Sequence, residues 1–204
     1  MRNPITALRA LLRSLVLSFT IAAVMARDAI GAGVVKVAGI AETMRAPHFR
    51  YDVECVGPDG AVKWRETFFN PVTTAGKNDL LTNYFKGSAY TAAFYVGLID
   101  NAGFTAVAAT DTAAAHAGWT ESSVYTAGTR PALTLGTASA GSIDNSASKA
   151  SYAINGAATI NGAFVITNST KGGTTGVLYS AASFGATRTV ANSDTLNVQV
   201  TLSV

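Results

Sequence analysis

Phe49–Phe68, FRYDVECVGPDGAVKWRETF, is the stretch on which the fold turns. Phe49, Tyr51, Val53 and Cys55 alternate with Arg50, Asp52 and Glu54. That is the period-two pattern of a strand with one face buried and one face wet. Gly57-Pro58-Asp59-Gly60 then supplies turn chemistry, and the chain resumes through Val62, Trp64 and Phe68 with charges between. The segment reads as a β-hairpin.

The same pattern recurs at the far end. In Thr195–Ser203, Leu196, Val198, Val200 and Leu202 face one way, while Asn197, Gln199, Thr201 and Ser203 face the other. Between these ends, Ala92–Ile99 (AAFYVGLI) is a continuous apolar run that predicts a strand buried on both faces. Further short strands are expected at Trp119–Tyr125, Ala132–Leu135, Gly141–Ser146, Ser148–Ile154, Ala158–Thr167, Gly176–Ala181 and Thr187–Ala191. Asn161-Gly162 interrupts one of them as a turn or bulge. A helix is expected at Lys77–Phe85, with Leu80, Leu81, Tyr84 and Phe85 toward the core and Gly87 past its end. Asp111 is placed to cap a brief helical turn through His116. Residues 101–151, rich in Ala, Ser, Thr and Gly, read as long loops over the strands. The fold class that follows is all-β: a β-sandwich of jelly-roll or Greek-key type with one short helix. Each sheet is expected to bury one face and turn a Thr/Ser/Asn face outward.

Ahead of this body, residues 1–47 form an apolar, basic, helical or extended arm and linker, and residues 48–204 form the sandwich. Residues 1–50 hold seven basic and two acidic residues, a balance of +5, whereas residues 51–204 hold eight and ten, a balance of −2. The net +3 therefore belongs to the N-terminal end. A basic arm is attracted to acidic surfaces. Three readings of Ile5–Ala26 compete. Arg2, Arg9 and Arg13, the run Ser14–Met25 and Val24-Met25-Ala26 have the makings of a secretory leader. A membrane span needs about 20 apolar residues, but the uninterrupted run from Ser14 to Ala26 has only 13. An interaction helix suits Ile5, Leu8, Leu12, Leu15 and Phe19, which follow three-to-four spacing, with Arg9 and Arg13 one turn apart on another face. The last reading makes Leu8, Arg9, Leu12, Arg13, Leu15 and Phe19 the candidate interaction residues. It is preferred because it accounts for the segregated charge.

Composition points away from a freely diffusing enzyme. Hydrophobic residues make up 49% and charged residues only 13%, roughly half the usual quarter. Such a surface suits a component that buries part of itself against neighbours. The two histidines, His48 and His116, sit in no metal-ligand spacing, and the single cysteine, Cys55, is expected as a small buried hydrophobe. No GxSxG elbow is present. Lys171-Gly172-Gly173 lacks the order of a phosphate-binding loop and reads as a hairpin loop. Asp100-Asn101 and Asp144-Asn145 lack the alternating acids of a calcium loop. Trp64 and Trp119 are expected as core anchors. No catalytic residue, metal, cofactor or small-molecule substrate is expected, and the body has no basic patch for nucleic acid.

From Asn70 to Val204 the chain resembles small virion proteins of tailed bacteriophages. The likeness is carried by AGKNDLL, AYTAAFYVGLID, HAGWTES, INGAFVITNSTKGGTTGVLYSAASF and DTLNVQVTLSV. These are structural segments, and they hold no active-site motif. The resemblance implies a structural protein of the particle, capsid cement (decoration) or another head or tail part. Its implied partners are the major capsid protein and further copies of itself, and its implied location is the virion. A tail or fibre component, and an exported periplasmic or secreted binding module with a cleaved leader, are the alternatives.

Overall fold

The computed structural model describes residues 34–37, 40–43, 47–85 and 93–204. The chain divides into two compact units, residues 1–46 and 47–204. In the first, β1 (Val34–Val37) and β2 (Ile40–Thr43) pair antiparallel. The interaction residues expected at Leu8, Arg9, Leu12, Arg13, Leu15 and Phe19 lie outside the described residues.

The second unit is all-β, with two antiparallel sheets and one short helix. The hairpin appears as β3 (His48–Val56) and β4 (Val62–Pro71), paired with a register shift at Cys55/Val56. The last strand, β10 (Thr195–Ser203), lies on the other side of β3 over its whole length. Its outer edge is shared by β6 (Ser142–Asp144) and β7 (Ala150–Ala153). The first and last strands of this unit are thus neighbours, a long-range return of the kind Greek keys use. The second sheet is β5 (Tyr95–Asp100), β8 (Ala158–Ile166) and β9 (Leu178–Val190), in the order β5-β8-β9.

Alternation places the core. Tyr51, Val53, Cys55, Leu196, Val198 and Val200 point from the five-stranded sheet toward Val96, Leu98, Ala163, Val165, Ala182 and Phe184 of the other. Tyr152 spans the interior and donates its hydroxyl to the Val96 carbonyl at 2.7 Å. Along one side, β4 and the Val72–Thr73 segment after it are stitched to β9. The Thr73 amide donates to Tyr179 O at 2.8 Å, the Trp64 indole N–H to Thr189 O at 2.9 Å, and Arg188 pairs with Glu66.

The outward face of the five-stranded sheet is mostly polar, with Phe69 of β4 exposed on it opposite Arg50. The three-stranded sheet is not so arranged. Phe164, Ile166, Leu178 and Ala181 point away from the common core into a second apolar cluster with Ile99, Ala113 and Trp119. The loop of residues 101–131 covers them, so this sheet is buried on both faces. That fits the unbroken apolar run of β5.

Three local expectations are corrected. The two strands expected at Gly176–Ala181 and Thr187–Ala191 are one 13-residue strand, β9. It reads as two because Phe184–Thr187 stand opposite Asn161 alone: Ser183 faces Gly162 and Arg188 faces Ile160. This is the bulge that Asn161-Gly162 signals. Gly162 is needed there because a Cβ would lie 2.1 Å from Ala182 O. The helix, α1 (Thr74–Leu80), starts earlier than expected, capped by Thr73, whose hydroxyl accepts from the Gly76 amide at 3.1 Å. It continues as a π-helical turn, Leu81–Phe85. It packs on β9 through Gly76, where a Cβ would meet the Tyr179 backbone at 3.0 Å. Leu80, Leu81 and Tyr84 therefore face outward, 37%, 57% and 76% exposed, and not toward the core. Finally, Asp111 caps no helix. Its carboxylate accepts from the Ala108 amide at 2.9 Å and from the Trp119 indole at 2.8 Å.

Candidate functional site

The strands expected at Trp119–Tyr125 and Ala132–Leu135 are instead two short contacts with the free edge of β5. Glu121 bridges Ile99 and Ala132 bridges Tyr95. The Ser122 amide donates to Leu98 O and the Val96 amide to Pro131 O, at 2.8 and 3.0 Å. Ile99 and Tyr95 are four residues apart, but Glu121 and Ala132 are eleven apart. An excursion of seven extra residues leaves the sheet edge between them. It bridges β7's end at Tyr125–Ile154 and the β8–β9 loop at Thr129–Thr170.

A buried charge cluster locks this excursion. Arg130 Nε donates to Glu121 Oε1 at 2.9 Å and Nη2 to Oε2 at 2.7 Å. Its remaining donors reach Asn168 O at 2.8 Å and Gly173 O at 3.0 Å. Glu121 Oε2 also accepts from the Gly172 amide at 2.6 Å. The guanidinium stands 5.2 Å above the Phe164 ring. Lys171 donates to Tyr125 O at 3.0 Å, with its ammonium 4.2 Å from the Tyr125 ring centre. Lys171-Gly172-Gly173 is a hairpin loop, and the Lys171 ammonium, the Gly172 and Gly173 amides and the Gly173 carbonyl are engaged in internal bonds.

Between the two loops lies a partly open cavity of about 230 Å³. Its floor is the outer face of β8 and β9: Phe164, Ile166 and Leu178. One wall is His116 and Trp119, whose rings stack at 4.0 Å with 22° between their planes. The other is Gly172–Thr174, and the Arg130–Glu121 pair closes the back. Arg130 did not stand out in the sequence, and HAGWTES, His116 and Trp119 were noted there without being read as a cavity wall. The signal available was HAGWTES, whose histidine and tryptophan are three residues apart.

The sequence's other candidates fall elsewhere. Cys55 is fully buried, and its thiol donates to Asp194 at 3.6 Å. Burial first, and then the Asp194 charge, push the thiol up to about 11. Asp194 itself is 1% exposed and pairs with Lys63 at 2.7 Å. Burial works to raise its pKa, but the Lys63 ammonium and the Ala191 amide outweigh burial and hold the carboxyl below its ordinary range. Asp100 and Asp144 accept from the amides of Ala102 and Ser146, as turn residues do. Asn145 is buried and bonds Val200 N at 2.7 Å and Val198 O at 3.3 Å, filling the gap in the ladder between β6 and β7. Trp119 is a core anchor, whereas Trp64 is only partly buried.

No family model matches the chain, and no curated protein matches it significantly. Among the described residues no three His, Cys, Asp or Glu side chains gather as a metal site. Among the same residues no helix is long and apolar enough to cross a membrane.

Proposed function

We propose that this chain is a structural protein of a tailed-bacteriophage particle, most simply a capsid cement protein that binds coat subunits. The observation that carries this reading is the outward group Leu80, Leu81 and Tyr84 at the end of α1 and on the π-helical turn that follows it. Most of the body's large hydrophobics lie in two buried clusters, yet these three are set at the surface within five residues of one another, and Phe69 (62%), Val62 (42%) and Val204 (73%) are exposed elsewhere. Apolar groups of this kind mark interaction surfaces. The charge-poor composition, the basic N-terminal end and the likeness of AGKNDLL and the later segments to virion proteins support the same role. In this reading residues 1–47 spread over neighbouring coat subunits, the sandwich is the body, and the partners are the coat protein and further copies of the chain.

Binding to purified shells tests it. The full chain is expected to sediment with particles, and Leu81→Glu is expected to weaken that association while leaving far-UV circular dichroism unchanged. Removal of residues 1–35 is expected to leave a folded body that no longer binds. A truncated chain that still decorates particles at full occupancy would sink the arm reading. Few copies confined to the tail would favour the tail component. A mature chain beginning at Arg27 would favour the exported module.

A further inference from the structure

We infer that the cavity between the 113–121 wall and the 172–174 loop is a binding site for a small, uncharged aromatic ring. Three observations carry this, and none depends on the assembly role. The first is size: about 230 Å³, when an apolar cavity of about 150 Å³ already admits benzene. The second is lining. Phe164, Ile166 and Leu178, each 2% exposed or less, close the base, with the His116–Trp119 stack beside it, while His116, Thr120, Gly172 and Thr174 supply the reachable rim.

The third is charge. Arg130 and Glu121 are the ionised groups at the back of the cavity, and each is already engaged. Arg130 spends its fork on Glu121, Asn168 O and Gly173 O, and Glu121 takes two of those donors and the Gly172 amide. A carboxylate or ammonium ligand would lose its hydration and gain no counter-ion here. A neutral ring loses little hydration on entering. The rim carries the hydroxyls of Thr120 and Thr174, which suit one polar substituent on the ring. Aromatic rings also pack favourably edge to face against rings such as Phe164 and Trp119. The charge cluster thus selects by neutrality as well as holding the cavity's shape.

The test is a titration of the full chain with phenol, indole, benzoate and benzylamine, followed by NMR at the Trp119 indole N–H and the methyl groups of Ile166 and Leu178. Phenol and indole are expected to give saturable shifts at these reporters, with the two charged rings binding at least about tenfold more weakly, the equivalent of 1.4 kcal/mol. Thr174→Phe, at an exposed rim position, is expected to abolish the shifts while the remaining spectrum stays unchanged. Thr120→Phe, at an exposed position on the opposite wall, should do the same. Non-saturating shifts, equal binding of charged and neutral rings, or shifts that survive both substitutions would each overturn the proposal.

Discussion

Arg130 and Glu121 meet as a two-pronged ion pair with side chains only 2% and 7% exposed, joining two loops over the outer face of β8 and β9. They are nine positions apart in sequence, and the excursion between them leaves the sheet edge and returns to it. The pair closes that excursion, and the Asn168, Gly172 and Gly173 backbone completes its hydrogen bonding.

Removing one partner leaves a buried charge without its counterpart. Arg130→Met or Glu121→Leu is expected to destabilise the body by about 3–5 kcal/mol, whereas the double variant costs much less than the two together. Urea unfolding of the four proteins checks this. Additive single effects would mean that the pair is not coupled.

Asp194 makes stability depend on pH at both extremes. Its folded carboxyl lies below the ordinary 3.8. Its contribution is therefore complete above 3.8 and is lost as pH falls through the folded value. Lys63 is raised above 10.5, first by its hydrogen bond to Asp194. Its contribution is complete below 10.5 and is lost as pH rises through the folded value. Asp194→Asn is expected to flatten the urea midpoint against pH in both windows. Unchanged acid and alkaline limbs would contradict the linkage.

Two glycines in the three-stranded sheet should differ in a way that tests packing. A Cβ on Gly97 would sit 2.0 Å from the Phe164 ring, which lies across the strand pair. Gly97→Ala is expected to cost about 1–3 kcal/mol, with part recovered by Phe164→Leu. A Cβ on Gly162 would instead meet the Ala182 carbonyl. No side-chain change clears that clash, so Gly162→Ala is expected to cost more and to resist rescue. Thermal unfolding of the three variants decides it.

The parts of the fold readable from sequence were those governed by local periodicity. The 49–68 hairpin, the alternation of Thr195–Ser203 and the doubly buried run ending at Ile99 each carry their burial in residue order, because a strand's faces alternate at every residue. The bulge at Asn161-Gly162 was legible because glycine marks a close approach of backbones. What alternation could not report was partnership. Leu80, Leu81 and Tyr84 have core-like spacing, but the helix docks through Gly76, and that depends on where β9 lies. Asn145 completes a ladder between two strands that only the fold puts end to end.

The sequence alone determined an all-β body with its strands' inner faces and a basic N-terminal end, since those are properties of neighbouring residues. Only the tertiary structure decided that Arg130, Glu121, Phe164 and the 172–174 loop meet around a cavity. Their meeting depends on an excursion from the β5 edge and its closure by a buried ion pair. Such contacts join residues up to 51 positions apart, and no local pattern in the chain encodes them.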